Sequence, residues 1–333
     1  MLDRRSFLTA AAAALPAHAF AQGVSPLASA VDQARGFGRM HALIVLKDGE
    51  TLVEEQFTSA SLDRPANIKS VSKTIVAAIL GAAVDRGAVP SVTARLGDVA
   101  PSLIPQGADP RVADITLEDL VTLRAGLERT SGPNYGTWVS SSNWVANALS
   151  RPLIAEPGGR MLYSTGSTHI LGAALARATG RSLLDLARDW LGAPLAIDIP
   201  AWTRDPQGFY LGGNDMALSP RALVSFGEMI RQNGLAGEAR VLSEDWLAAS
   251  FVPRTRSPWS GLGYGYGWFL GRAAGQPYAL ARGYGGQVVV VAPSLGVTMV
   301  SLSDPTRPAR SGGYFGDLQR LIERDILETL ASS

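Results

Sequence analysis

Strand-like segments lie at the two ends of this 333-residue chain, and helical ones fill its middle. No other feature restricts the fold as much. An isolated hairpin is marginal in water, so the N-terminal strands must find partners contributed from the far end of the chain. Residues 41–46 and 51–57 read as a hairpin around Asp48-Gly49, because this dipeptide suits the positive-φ positions of a tight reversal. Near the other end, residues 265–270, 278–282, 287–292 and 297–303 form short β-branched or aromatic runs separated by turn residues. The expected fold is therefore α+β. One antiparallel sheet is formed by the N- and C-terminal strands, flanked by helices, beside a central and mainly helical lobe. The lobes are expected at residues 22–66 with 258–333 (sheet) and 67–257 (helical), with the active site between them. A hydrophobic fraction of 46% against 18% charged residues is ample for such a core.

The helices carry their own punctuation. A long apolar helix runs from Ser70 to Arg86 and stops at Gly87. Thr116-x-x-Asp119 and Ser182-x-x-Asp185 read as capping boxes, and Ser219-Pro220 as an N-cap with proline at the first helical position. Asn143 is expected to cap a short helix over residues 144–149. The last helix spans residues 316–330, with an apolar stripe at Leu318, Leu321, Ile322, Ile326 and Leu330.

Residues 1–21 read as an address. Arg4-Arg5, a short alanine-rich apolar run and Ala19-Phe20-Ala21 form a twin-arginine-type signal peptide with a cleavage site. The implied destination is the periplasm or beyond, reached through the twin-arginine export machinery. No stable membrane anchor is expected after removal, since no apolar run is long enough to span a bilayer. A net charge of +1 offers no footprint for nucleic acid, so the expected partner is a small-molecule substrate. The oligomeric state is not readable.

The scarcity of particular residues limits the chemistry. There is no cysteine, and the only histidines are His18, His41 and His169. His18 leaves with the signal, His41 begins a strand, and His169 reads as core packing on a helix, so a Ser-His-Asp triad is not expected. No G-x-S-x-G elbow and no H-E-x-x-H occurs. The glycines at 261, 263, 265 and 267 lead into a strand, not a helix, which argues against dinucleotide binding. Neither a metal nor an organic cofactor is expected.

One constellation remains. Ser70-Val71-Ser72-Lys73 opens the long apolar helix, placing a hydroxyl and an amine one turn apart. Only three of the chain's 30 basic residues are lysines. Lysine can surrender its proton when desolvated, whereas arginine cannot, so this position calls for a base.

In its motifs the chain resembles the serine β-lactamase-like superfamily, in the branch that holds class C β-lactamases, esterases and 6-aminohexanoate-dimer hydrolases. Ser70-x-x-Lys73 is similar to the first motif, and the turn after Glu156 leading into Tyr163-Ser164-Thr165 is similar to the second. The segment from Ala281 to Gln287 resembles the glycine-rich third motif. Residues 115–126, 171–180 and 213–221 continue the likeness. The resemblance implies a β-lactamase/transpeptidase-like fold and a serine hydrolase, with Ser70 as the acyl-accepting nucleophile. Lys73 and Tyr163 would share the base and acid roles, a nearby ammonium lowering the phenol's pKa. The oxyanion would be held by the backbone N–H groups of Ser70 and Gln287. Thr165, Arg282, Tyr284, Gly285 and Gly286 are implied at the substrate, and Tyr135, Trp138 and Trp259 are candidates to line the pocket.

Two departures stand out. Thr165 replaces the usual asparagine, and Tyr284 stands where penicillin-recognising members carry lysine or histidine. No lysine follows Lys73, so the usual cation for a substrate carboxylate is missing unless Arg282 substitutes. The expected reaction is hydrolysis of small esters or amides in the periplasm. A class C-like β-lactamase or D-alanyl-D-alanine carboxypeptidase, and a catalytically silent binding protein on the same scaffold, stay open as alternatives.

Overall fold

The computed structural model describes residues 26–332. The expected export segment, His18 included, lies outside the described residues. Eight antiparallel strands form the main sheet: β1 (Met40–Lys47), β2 (Glu50–Gln56), β3 (Thr255–Arg256), β4 (Gly263–Tyr264), β5 (Phe269–Ala273), β6 (Gln276–Gly283), β7 (Gln287–Ala292) and β8 (Val297–Ser303). Their order is β2-β1-β8-β7-β6-β5-β4-β3, so the N-terminal hairpin is joined to the C-terminal strands through β1 and β8. That register runs from Met40 opposite Ser303 to Lys47 opposite Val297. Asp48 and Gly49 both take positive φ, +52° and +86°, the tight turn expected of Asp-Gly.

Every residue of β7 and β8 is buried because both faces of the sheet are covered, which suits the apolar run Val288–Ala292 and the mainly apolar β8, where Thr298, Ser301 and Ser303 are buried polar residues. Five helices position the site: α1 (Ala28–Gly36), α2 (Ser72–Asp85), α3 (Thr165–Thr179), α4 (Pro220–Arg231) and α5 (Tyr314–Arg320). α1 and α5, which continues as a π-wound stretch over Leu321–Glu328, share one core with Leu280, Val288 and Met299 of the sheet. On the other face α4 lies along β7 and β8, and α2 and α3 join a second core that includes Ala281, Val289 and Val300. α2 is buried on nearly all sides, the environment its all-round apolar sequence requires.

The run at 265–270 is not one strand. β4 ends at Tyr264, β5 begins at Phe269, and the residues between form a turn. Gly267 takes φ +77°, and a Cβ there would come within 2.7 Å of the Ala77 Cβ on α2. Its carbonyl accepts the Thr74 hydroxyl at 2.7 Å. Only glycine lets the backbone lie this close to α2. The expected capping box at Thr116 forms in full, the Thr116 hydroxyl accepting from the Asp119 N–H and Asp119 Oδ2 from the Thr116 N–H. At Ser182 only the N-cap half forms, its hydroxyl accepting from the Asp185 N–H while it donates to the Asp185 carboxylate. Asn143 likewise accepts from the Ala146 N–H.

Candidate active site

Ser70 sits on a single 3-10 turn, Lys69–Val71, immediately before α2. The chain reverses sharply into this turn. Lys69 takes φ +52°, a left-handed conformation that costs a non-glycine residue about 1 kcal/mol. Asn67 Oδ1 accepts the Lys69 N–H at 2.9 Å, and the Ser72 hydroxyl donates to Lys69 O at 2.6 Å. The local strain is thus held in place by hydrogen bonds on both sides of the serine.

Lys73, one turn along, is only 2% exposed. Its Nζ lies 2.6 Å from Gly213 O, 3.2 Å from Thr165 Oγ1 and 3.2 Å from Ser70 Oγ. Among the described residues no carboxylate pairs with it, and burial lowers its pKa to about 7. Gly213 and Thr165 suit a neutral amine: Gly213 O can only accept, so it takes one N–H. Thr165 Oγ1 can take the other while directing its own proton to Ser131 Oγ at 3.0 Å. The nitrogen lone pair is then left facing Ser70.

Tyr163 precedes α3, with its hydroxyl hydrogen-bonded to Ser70 and its ring 5.1 Å from Lys73 Nζ. The sequence led us to expect a phenol whose pKa is lowered by an ammonium. Instead, burial raises it above the ordinary 10.0, outweighing the hydrogen bond with Ser70 and the field of Arg282, which both act downward. With Lys73 neutral, the expected stabilising charge is largely lost.

Ser131 and Thr130 escaped the sequence reading. The Ser131 hydroxyl accepts the Thr165 N–H at 2.8 Å, and the Thr130 hydroxyl accepts that of Gly166 at 2.8 Å. Together they cap α3 from a separate segment and hold Thr165 against Lys73. No local pattern could have shown this, because the cap is 34 residues from the helix it serves. Gly213 carries a clearer reason: a Cβ there would collide with Thr168 Oγ1 and come within 3.2 Å of Lys73 Nζ.

The third motif is arranged differently from expectation. Gly283 ends β6 and packs on Ile68 and Lys69. The Gly286 N–H donates to Gly283 O at 3.3 Å, so that carbonyl points into the β6–β7 turn. Because the peptide is trans, the N–H of Tyr284 points the opposite way, toward the edge of β6 left uncovered where β5 ends. Gln287 lies one strand further in, on β7, and its side chain bonds Ser303 N and O. The N–H left open at that edge, beside the strand end that packs on Ile68 and Lys69, is therefore that of Tyr284, while Gln287 is paired opposite Gly283 one strand further in. Gly285 and Gly286 form that turn, packed on Asp304, Pro305 and Tyr314. Arg282 is directed to Ser311 Oγ and Ala309 O, with its guanidinium 3.3 Å over the Phe315 ring, so one donor of each terminal nitrogen is already engaged. Its desolvation lowers its pKa to about 10.

The aromatics divide. Trp138 is fully buried, donates to Trp144 O and packs edge-on to His169, so it belongs to the helical core and not to a pocket. Tyr135 is half-buried and accepts from Asn214 Nδ2 at 3.0 Å. Trp259 is 52% exposed and lies edge-on to Tyr163 at 6.1 Å. His169 is core, as expected. Its Nδ1 accepts the Gly212 N–H, so Nε2 carries the proton facing Asp205 Oδ2 at 3.0 Å.

The model of the Beta-lactamase family matches residues 37–322. In sequence the chain is 24% identical over 242 residues to the 6-aminohexanoate-dimer hydrolase of Paenarthrobacter ureafaciens, covering 67% of this chain and 60% of that one. It thus spans about 60% of the length of that curated relative. In fold it is similar to a candidate 6-aminohexanoate-dimer hydrolase from Bacillus anthracis, with a TM-score of 0.77 at 14% identity over 91% of this chain and 81% of that one. A D-stereospecific amidohydrolase from Streptomyces sp. superposes with a TM-score of 0.70 at 16% identity, covering 90% of this chain and 98% of that one. The family match begins before β1 and ends within the terminal helix, so it takes in the whole sheet and every motif at the site: the chain belongs to the Beta-lactamase family.

Proposed function

We propose that the protein is a serine hydrolase of small esters or amides, working through an acyl-enzyme on Ser70. One observation carries the reading: a buried lysine amine whose pKa is about 7 lies 3.2 Å from the hydroxyl of a serine at the mouth of the same helix. In the acylation step, neutral Lys73 takes the Ser70 proton as Oγ bonds to the substrate carbonyl carbon. The N–H groups of Ser70 and Tyr284 hold the resulting oxyanion. As the carbon–oxygen or carbon–nitrogen bond breaks, Tyr163 passes its proton to the leaving atom and recovers one from the Lys73 ammonium. Water then attacks the acyl-enzyme by the reverse proton path, releasing the acid and free Ser70. The raised pKa of Tyr163 suits a proton donor, and the lowered one of Lys73 suits a base.

Labelling with a fluorophosphonate probe tests this. Wild type should be modified at Ser70 and the Ser70→Ala variant should not. Equal labelling of both, or of neither, would reject Ser70 as the nucleophile.

A further inference from the structure

A cleft of about 410 Å³ opens beside Tyr163. Its walls mix apolar and polar surface, and two of the apolar residues there, Ile154 and Trp259, are 48% and 52% exposed. Large apolar side chains left open beside a reactive group are a usual mark of a ligand site. Two arginines, Arg129 and Arg160, also line the cleft. Among the described residues neither guanidinium has an ion pair or a hydrogen-bond partner; that of Arg129 only lies 5.9 Å over the Trp259 ring. Glu128 is the acidic residue of the lining, but Arg151 Nη1 holds it at 2.8 Å. The cleft therefore combines exposed apolar surface at Ile154 and Trp259 with two unmatched cations. The Arg129 guanidinium lies over Trp259, which in turn meets the Tyr163 ring edge-on, so these three side chains lead from the cleft wall to the reactive phenol.

We propose that this cleft receives the leaving-group half of the substrate, and that Arg129 and Arg160 select leaving groups bearing a carboxylate. The proposal rests on the hydrolase reading above. If Tyr163 hands its proton to the leaving atom, that atom must lie against the Tyr163 hydroxyl, and the rest of the leaving group meets the cleft that Tyr163 helps to line. A short apolar spacer would run along Trp259 and Ile154, and its carboxylate would accept from guanidinium donors, which match carboxylate geometry in pairs. The missing lysine of the third motif thus does not make the site indifferent to anions. The cation comes from the segments at 129 and 160, across the site from the sheet edge.

Two esters with one acyl group test this: 3-acetoxybenzoate and 3-acetoxybenzamide, which differ only in the charge of the leaving phenol. After correction for spontaneous hydrolysis, wild type should favour the benzoate by ~10-fold or more in kcat/KM, and added salt should shrink the preference. The Arg129→Gln, Arg160→Gln double variant should lose the preference while hydrolysing the benzamide ester at the wild-type rate. Equal rates on the two esters in wild type, or a preference that survives in the double variant, would overturn the subsite. If neither ester is cleaved in a Ser70-dependent way, it is the hydrolase reading that fails. Calorimetric titration of Ser70→Ala protein with 3-hydroxybenzoate and 3-hydroxybenzamide then decides the subsite by itself. Binding of the anion alone, abolished by the two arginine substitutions, supports it; equal binding or none refutes it.

Discussion

At the scale of single residues, the site turns on which group is neutral. Lys73 is stripped of solvent, with no carboxylate paired to it among the described residues, so its pKa falls from 10.5 to about 7. Below that pH it is an ammonium and cannot take the Ser70 proton; above it the amine is free. The expected kcat/KM therefore rises about tenfold per pH unit on the acid side and levels off above pH 7. Burial keeps the Tyr163 proton in place beyond pH 10.0, so no alkaline fall should appear below that point. A pH–rate profile checks both limbs, and a profile flat down to pH 5 would exclude Lys73 as the base. The Lys73→Arg variant keeps the charge but not the titration, and should lose ~10²–10⁴-fold in kcat/KM. The choice of lysine was legible in the sequence because arginine serves almost everywhere else. The direction of the Tyr163 shift was not, since it depends on burial.

At the scale of elements, the start of α3 has to be stationary for the amine to be aimed. Its first two N–H groups are satisfied by Ser131 and Thr130 from another loop. Thr130 Oγ1 also lies 3.2 Å from Ser164 Oγ in a buried pair. The Thr130→Val variant keeps the shape and removes the acceptor, so it should lose about 1–2 kcal/mol of stability, measured by urea denaturation. A loss of less than a few tenths would mean that water or Ser164 replaces the cap. Strands β7 and β8 were legible to the residue because short runs rich in β-branched and apolar residues, each bounded by turn residues, have no other good use. The stretch at 265–270 misled because alternating glycine and aromatic residues look like a strand. What makes it a turn is the approach of Gly267 to Ala77, a contact nearly 200 residues away in sequence. Gln287 misled for a related reason: spacing along a hairpin does not say which of its two strands faces the neighbouring helix.

At the scale of the whole molecule, the site lies where two cores meet at the end of one sheet. Ala281 packs with the helical side and Leu280 with the terminal helices, so β6 joins both. The C-terminal helix reaches back to the site through Phe315, which is fully buried and lies under the Arg282 guanidinium. Phe315→Ala should cost ~3–5 kcal/mol of stability, and it should also free Arg282 from its platform beside Tyr163. We expect a lower urea midpoint and, in the fraction that stays folded, altered kcat/KM on a neutral ester. Unchanged kinetics per folded molecule would show that Arg282 needs no such support.

The sequence by itself determined the pairing of the chain's two ends into one sheet, the helix that presents Ser70 and Lys73, and, with no cysteine in the chain, the exclusion of a cysteine nucleophile. These follow from local pattern and composition, which act over a few residues. Tertiary structure alone decided that the Tyr284 N–H is open at the edge of β6, that Trp138 is core while Trp259 borders a cleft, and that the Arg129 and Arg160 guanidinium groups have no ion pair or hydrogen bond among the described residues. Each of these depends on which distant segments pack together. Burial, and with it the proton affinity of Lys73 and Tyr163, exists only once they have done so.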